Sequence, residues 1–352
     1  MTVKFLSIAD IHLRVTETLG KHTGKINTRT RDKLGLLQKT AEFGVAKRVD
    51  FVMLLGDVFD TFNPPEKLRA WFIKALMPLI TAEIPIYWII GNHETDMDSY
   101  NFMAMKSLLD IMGEKEAPIQ IINGFDSFVK KDHNFYMIPA MYTDTDIIKI
   151  LNTIENKEKS IVFGHWATKE ALIGEEEFRY HEGISSRYYE DFKRIYLGDF
   201  HKYQKYGNWM YVGSLARKNF SERSDKKGFV YSELTDGVLE DTFVVVPDRE
   251  FIEIEITDES KGFDFKKLEN SVVKLVFKGT REWLLTLDRN KIIKNLNAYK
   301  VLIDFKNTEK HLEQNKNISV LTTLEDDVKS FCKTNNRSEL IPRGLQILEE
   351  VK

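Results

Sequence analysis

Short apolar runs punctuated by glycine recur through the first two thirds of the chain. Residues 3–8, 52–55, 86–90, 161–163 and 195–197 are such runs, and each is bounded by residues that stop a strand. Their length and their flanks predict buried β-strands. Helical spacing separates them. Residues 30–48 place Leu34, Leu37, Ala41 and Val45 on one face. Residues 65–80 begin at Pro65, which suits a first helical position, and align Leu68, Trp71, Phe72, Ala75, Leu76 and Leu79. Residues 99–112 carry Phe102, Met103, Met105, Leu108, Leu109 and Met112. Strand-like runs return at 135–138, 209–212, 229–231 and 243–246. The later ones lack helices between them, which predicts a second sheet that is partly antiparallel. Alternating strands and helices of this kind belong to a layered α/β fold.

A boundary falls near Pro247, so residues 1–246 form the first expected domain. Residues 251–256 alternate like a strand, and runs at 272–277 and 299–305 flank a helical stretch at 288–296. That predicts a small α+β domain over 247–306. Residues 307–317 are almost wholly polar and read as a linker. Beyond them, 318–352 hold two short helical patterns. Thr323 can cap the first, with Leu321, Leu324, Val328 and Phe331 aligned, and Ile341, Leu345 and Leu348 align in the second. So short a pair buries little by itself. It either docks on a partner helix or coiled coil or packs on its own body.

Composition narrows the class. The chain has 352 residues, 42% hydrophobic and 30% charged, enough for a real core. A net charge of −3 argues against a protein that coats nucleic acid through overall basicity, while leaving room for a local basic groove. Cys332 is the only cysteine, so no internal disulfide forms, as suits a reducing cytoplasm. No apolar run approaches the roughly 20 residues of a membrane span. The opening residues enter a strand directly, without a signal-peptide layout.

The chemistry sits where the apolar runs stop. They lead into Asp10 and His12; Asp57; Asn92, His93 and Glu94; His165; and Asp199 and His201. Side chains at the carboxyl ends of buried strands converge on one rim. A set of Asp, His and Asn with no Cys favours Mn, Fe or Zn over Cu(I), with Mg possible, and does not look like a structural zinc site. Asp10 and His12, two apart on a strand end, face the same way. The two oxygens of Asp57 could bridge two ions, and two ions roughly 3.5–4 Å apart can activate water and hold a phosphate in line. His133, His181 and His311 sit in no such pattern and read as surface residues. Arg14, Lys21, Lys25, Arg29 and Arg31 lie on an expected loop beside the rim, and Lys202, Lys205, Arg217, Lys218 and Arg223 cluster near the last motifs. Such cations could hold backbone phosphates. For any single one of them, a solvated charged surface is the better account.

Taken in order, Asp10-x-His12, GDVFD at 56–60, GNHE at 91–94, Gly164-His165 and the 198–201 segment resemble the calcineurin-like metallophosphoesterase superfamily. The DIHL opening at 10–13, GDVFDTFNPP from Gly56, and Tyr211-Val212-Gly213-Ser214 followed by Glu222 and Lys227-Gly228-Phe229 resemble one branch, the SbcD-type (meiotic-recombination-eleven-type) DNA repair nucleases. Recombination nucleases of large tailed phages belong to that branch. The resemblance implies an α/β/β/α sandwich, a capping domain and a helical tail that binds an SbcC-type, SMC-like coiled-coil ATPase. It implies two Mn ions, one on Asp10, His12, Asp57 and His201 and the other on Asp57, Asn92, His165 and residue 199. His93 would act beside the scissile phosphate without binding metal, with Glu94 and Asp60 in support. DNA would be the substrate, cut as a 3′-to-5′ exonuclease on duplex ends and an endonuclease on single strands or hairpins. The setting would be the cytoplasm of a bacterium or a phage-infected one. A homodimer through the helices near 65–80 and 99–112 is implied too. The family usually carries His where this chain has Asp199. Two other readings stand beside this one: a phosphatase or cyclic-nucleotide phosphodiesterase of the superfamily, or a weakly active DNA-gripping scaffold in which Asp199 has cost the second ion.

Overall fold

A computed structural model describes residues 2–24, 26–95, 118–174, 178–260, 268–296, 298–308 and 340–342. The chain divides into two compact units, Met1–Lys278 with Thr286–Lys306, and Gly279–Leu285 with Asn307–Lys352. The first holds two six-stranded sheets. Strands β1 (Thr2–Ile8), β2 (Phe51–Leu55), β3 (Ile86–Ile89), β4 (Ile119–Ile122), β13 (Gly228–Thr235) and β14 (Val238–Val245) form one, in the order β14-β13-β1-β2-β3-β4. Strands β5 (Asp126–Lys130), β6 (His133–Ile138), β7 (Ser160–His165), β10 (Arg194–Gly198), β11 (Gln204–Tyr206) and β12 (Trp209–Tyr211) form the other, in the order β11-β12-β10-β7-β6-β5. The two-residue strands β8 (Leu172–Ile173) and β9 (Phe178–Arg179) pair with each other.

The strands read as unbroken apolar runs because both faces of each sheet are covered. On β1 and β2, Val3, Phe5, Phe51, Met53 and Leu55 turn between the sheets, where they meet Phe135, Phe163 and Tyr196. Leu6, Ile8, Val52 and Leu54 turn outward beneath helices α1 (Thr28–Lys47) and α2 (Glu66–Thr81). Behind the second sheet, Ile147 and Leu151 of α3 (Asp144–Thr153) join Val162, Ile195 and Leu197. The layers therefore run α/β/β/α. Helix α1 starts where the Asn27 side chain accepts from the Arg29 backbone N–H at 2.9 Å. Helix α2 begins one residue after Pro65, which serves as its N-cap. Leu68, Phe72, Ala75, Leu76 and Leu79 are used in the core; Met77 is exposed. The expected helix at 99–112 lies outside the described residues.

One expectation changes here. The sequence pattern places the late strands at 229–231 and 243–246 in the second sheet. Strands β13 and β14 instead pair antiparallel with each other and with β1, which completes the first sheet. The second sheet is antiparallel at both edges, through the β11–β12 and β5–β6 pairs.

Strands β15 (Phe251–Thr257), β16 (Val272–Gly279) and β17 (Lys300–Asn307) form a small sheet in that order, with β15 and β16 parallel. Phe251 and Val272 pack with Leu19, Phe220 and Tyr299 inside the first unit. In the second unit lies a short helix, α4 (Arg281–Leu285). The following helix α5 (Arg289–Asn295), in the first unit, is capped by Asp288, which accepts from the Asn290 and Lys291 N–H groups. The expected linker and tail lie outside the described residues apart from 307–308 and 340–342.

Candidate metal centre

Strands β1, β2 and β3 run parallel, as do β7 and β10, so their carboxyl ends open on one rim. The loops that follow are laced by their backbones. Asp10 N–H donates to Gly56 O, His12 N–H to Asp57 O at 2.8 Å and Leu13 N–H to Val58 O at 2.8 Å. Asp10, His12, Asp57 and Asp199 all hold positive φ, at 50°, 47°, 50° and 95°. Residues with a β-carbon resist that region, and such strain collects where a site over-determines the backbone. Gly56 makes the turn possible: at φ +82°, a β-carbon there would lie 2.4 Å from His165 Nδ1.

Three histidines are oriented in the same way. His12 Nδ1–H donates to Asp60 Oδ1 at 3.0 Å, His201 Nδ1–H to Glu222 Oε1 at 2.8 Å, and His165 Nδ1–H to the Leu55 carbonyl at 2.7 Å. Each bond fixes the ring and leaves Nε2 for the rim, the usual arrangement behind a metal-binding imidazole. His12 Nε2 and His201 Nε2 then face one another at 2.9 Å. Two lone pairs cannot rest at that distance without a cation or a proton between them. Asp10 Oδ2 is buried and accepts no hydrogen bond. Ligand atoms of Asp10, His12 and His201 lie within 4.8 Å of one another, as do those of Asp10, Asp57 and His165. Asp57 Oδ2 stands 3.6 Å from His12 Nε2 and 3.7 Å from His165 Nε2, so it lies between the two groups. The Asn92 amide sits 2.9 Å from His165 Nε2. With its nitrogen turned inward it reaches both Asp57 oxygens at 3.2 Å. Asp199 Oδ1 is 4.0 Å from His165 Nε2, and its backbone N–H donates to Asp10 Oδ1 at 3.1 Å.

The electrostatics ask for positive charge. Burial pushes the Asp10 carboxyl up to about 6 and raises that of Asp199. Burial works against a charged His165, yet Asp57, Asp10 and Asp199 outweigh it and hold the ring at about 9. A divalent cation would answer the same need, and hard-to-borderline O and N donors suit one. The donor set therefore fits the implied metal.

His93 stands beside this group. Its side chain is 39% exposed, with Nδ1 3.7 Å from Asp60 Oδ1 and Nε2 3.9 Å from Asp57 Oδ2. Burial lowers its pKa from the ordinary value. Asp60 also pairs with Arg14 and, at 3.2 Å, with Lys218 Nζ. Glu94, expected to orient His93 or a ligand, holds the loops that carry Asp57 and Asn92. Its buried oxygens accept from Phe59 N–H and Gly91 N–H, both at 3.0 Å, and from Trp88 Nε1 at 3.2 Å. It fastens the ends of β2 and β3 together, and burial with the nearby Asp57 charge pushes its carboxyl up to about 7.

The expected phosphate-binding cations divide. Arg14 reaches the rim through Asp60 with its side chain partly exposed, Lys21 and Arg31 are exposed, and Lys202 lines a cleft with Asp199 and His201. Arg29 is a correction: it is 1% exposed and pairs with Asp248, so it packs α1 instead of meeting solvent. Arg217 is likewise engaged, by Asp248 and by the Arg223, Asp225 and Arg249 carbonyls. Lys25 lies outside the described residues. The sequence gives no role to Lys33, nor to the Glu222–Lys227 pair beyond its place in a motif, and no signal in charge or spacing marks Lys33 as buried.

Two layered sheets with a rim of Asp, His and Asn donors define a metal-binding sandwich. The calcineurin-like phosphoesterase family matches residues 3–203, and the chain belongs to that family. The DNA double-strand break repair protein Mre11 of Archaeoglobus fulgidus is 25% identical over 302 residues, covering 76% of this chain and 65% of that one. Mre11 of Methanosarcina mazei is 25% identical over 275 residues, covering 72% and 42%. The SbcD component of the nuclease SbcCD of Staphylococcus saprophyticus is 23% identical over 260 residues, covering 66% and 68%. The chain thus spans about two thirds of the first of these relatives and less than half of the second. Among the described residues, no helix is long and apolar enough to cross a membrane.

Proposed function

We propose that this chain is the nuclease component of a DNA repair or recombination complex and hydrolyses DNA phosphodiesters. The observation that carries the reading is the joint rim, with His12 and His201 Nε2 atoms facing at 2.9 Å, Asp57 between the two ligand groups and His93 beside them. The repair proteins and nuclease named among its relatives support DNA as substrate. Asp10, His12, Asp57 and His201 would hold one Mn ion; Asp57, Asn92, His165 and Asp199 would hold the other. Bound divalent ions supply Lewis acidity and neutralise the charge of the phosphate. The chain's own groups do the rest. Asp57 and Asp60 flank the His93 ring and keep it near the rim. His93 stabilises the charge that develops on the phosphate or gives a proton to the departing oxygen. Arg14 and Lys218, now paired with Asp60, are placed to meet the backbone of an incoming strand.

The finer reading extends to exonuclease action on duplex ends, endonuclease action on single strands or hairpins, dimerisation through the helices near 65–80 and 99–112, and a coiled-coil ATPase bound by the tail. Incubation of the protein with Mn and a labelled duplex or hairpin tests it. His93→Ala should retain the metal and lose cleavage by about 10²–10⁴-fold. Equal activity in the His93→Ala protein, or no cleavage with and without the ATPase, would sink the proposal.

A further inference from the structure

Two lysines that the chemistry above does not use are buried behind the metal centre. Lys33, on α1, exposes 2% of its side chain, and Lys227, just before β13, exposes none. Each ammonium donates to the main-chain carbonyl of a candidate ligand. Lys33 Nζ reaches His12 O at 2.9 Å, and Lys227 Nζ reaches His201 O at 3.0 Å. Each is also paired with a glutamate at 2.7 Å, Lys33 with Glu17 and Lys227 with Glu222. Lys227 has Asp225 at 3.3 Å as a further partner. One device is thus built twice, from two distant stretches of chain, on the two histidines whose Nε2 atoms meet.

Burying an ammonium is costly even when it is paired, so the repetition calls for a reason. The backbone supplies one. His12 sits at φ 47°, and its neighbour Asp10 at 50°, so this loop needs an external hold. The side-chain hydrogen bonds of His12 and His201 to Asp60 and Glu222 fix ring rotation, while the main chain is held separately, by His12 N–H on Asp57 O at 2.8 Å and by Ser214 N–H on His201 O at 2.9 Å. A buried lysine on each carbonyl adds a charged hold, stronger than a neutral hydrogen bond, to these neutral ones. We propose that Lys33 and Lys227 are positioning residues: they lock the backbone of His12 and His201 so that both Nε2 atoms converge on one cation. The inference rests on the reading of Asp10, His12 and His201 as ligands.

Lys33→Met with Glu17→Gln removes one hold together with its counter-charge, so no carboxylate is left buried and unpaired. Lys227→Met tests the other; if it does not fold, the double variant decides. Mn²⁺ binding is followed by titration calorimetry and by the Mn electron paramagnetic resonance signal, and metal-free melting is recorded alongside. His12→Ala marks which binding step belongs to this pair of histidines. The double variant should melt close to the unsubstituted protein, bind that ion about 10–100-fold more weakly and leave the other ion's affinity unchanged. Unchanged affinity in the folded double variant overturns the proposal. So does equal weakening of both ions, which a general loosening of the fold would produce. An unsubstituted protein that binds no Mn overturns the ligand assignment, and this proposal with it.

Discussion

Asp199 is the residue on which the proposed second ion would depend. Its carboxylate faces His165 and its backbone touches Asp10, so it belongs to the rim by position even though the family pattern has histidine there. A carboxylate suits Mn better than Zn, because hard donors favour hard cations. Asp199→Ala should therefore leave one ion per chain in place of two, measured by elemental analysis of protein equilibrated with Mn. Asp199→His should keep two and shift preference toward Zn. Two ions in the alanine protein would remove Asp199 from the ligand set. Glu222 makes a contrasting point about single residues. Burial would raise its carboxyl, but the His201 hydrogen bond and the Lys227 charge outweigh that and hold it down to about 2. It is kept ionised to accept from His201.

The elements matter through the loops that join them. Five strand ends supply the candidate ligands, but lacing between loops aligns them. Glu94 is the strongest single fastener, since it takes the Phe59 and Gly91 N–H groups and the Trp88 indole at once. Glu94→Ala leaves three buried donors without an acceptor, at about 1–3 kcal/mol each, less what water recovers. Urea unfolding should show a loss of at least about 2 kcal/mol, with His93 itself still present. Stability within experimental error would show that the loops hold without it. The strand ends were legible in the sequence because each apolar run stops abruptly at a glycine or a ligand. The fastening was not, because Glu94 adjoins His93 in sequence and yet its oxygens turn away toward β2 and β3.

At the scale of the molecule, two predictions separate binding from folding. Metal that binds the folded chain alone stabilises it, by about 2.7 kcal/mol at a hundredfold excess over Kd. Mn should raise the melting temperature and a chelator should reverse the rise, while a His12→Ala, His201→Ala double variant should respond far less. The second prediction concerns charge. With a net charge of −3, the proposed DNA affinity would have to come from local cations. Each phosphate contact contributes about 0.9 to the slope of log affinity against log salt. Lys21→Ala with Arg31→Ala should reduce that slope by about 2, by fluorescence anisotropy. Arg29→Ala should leave the slope unchanged and lower stability, because its guanidinium is spent on Asp248. The opposite pattern would reassign these cations.

The sequence by itself determined which residues reach the rim. Strand periodicity fixes where each run ends, and parallel strands bring their ends together whatever covers them, so Asp10, His12, Asp57, Asn92, His165, Asp199 and His201 could all be named from pattern alone. The limits of α1 and α5 fall close to the expected 30–48 and 288–296, because caps such as Asn27 and Asp288 act on residues two or three positions away. Only tertiary structure decided which carboxylate serves which histidine. Asp60 and His12 are 48 positions apart, and Glu222 and His201 are 21 apart. It also decided that β13 returns to β1, that Arg29 and Arg217 are structural, and that Lys33 and Lys227 stand behind the site. Charge and spacing look alike in a buried lysine and a solvated one. Burial, and the carbonyl each ammonium meets, arise only when distant segments of the chain pack together.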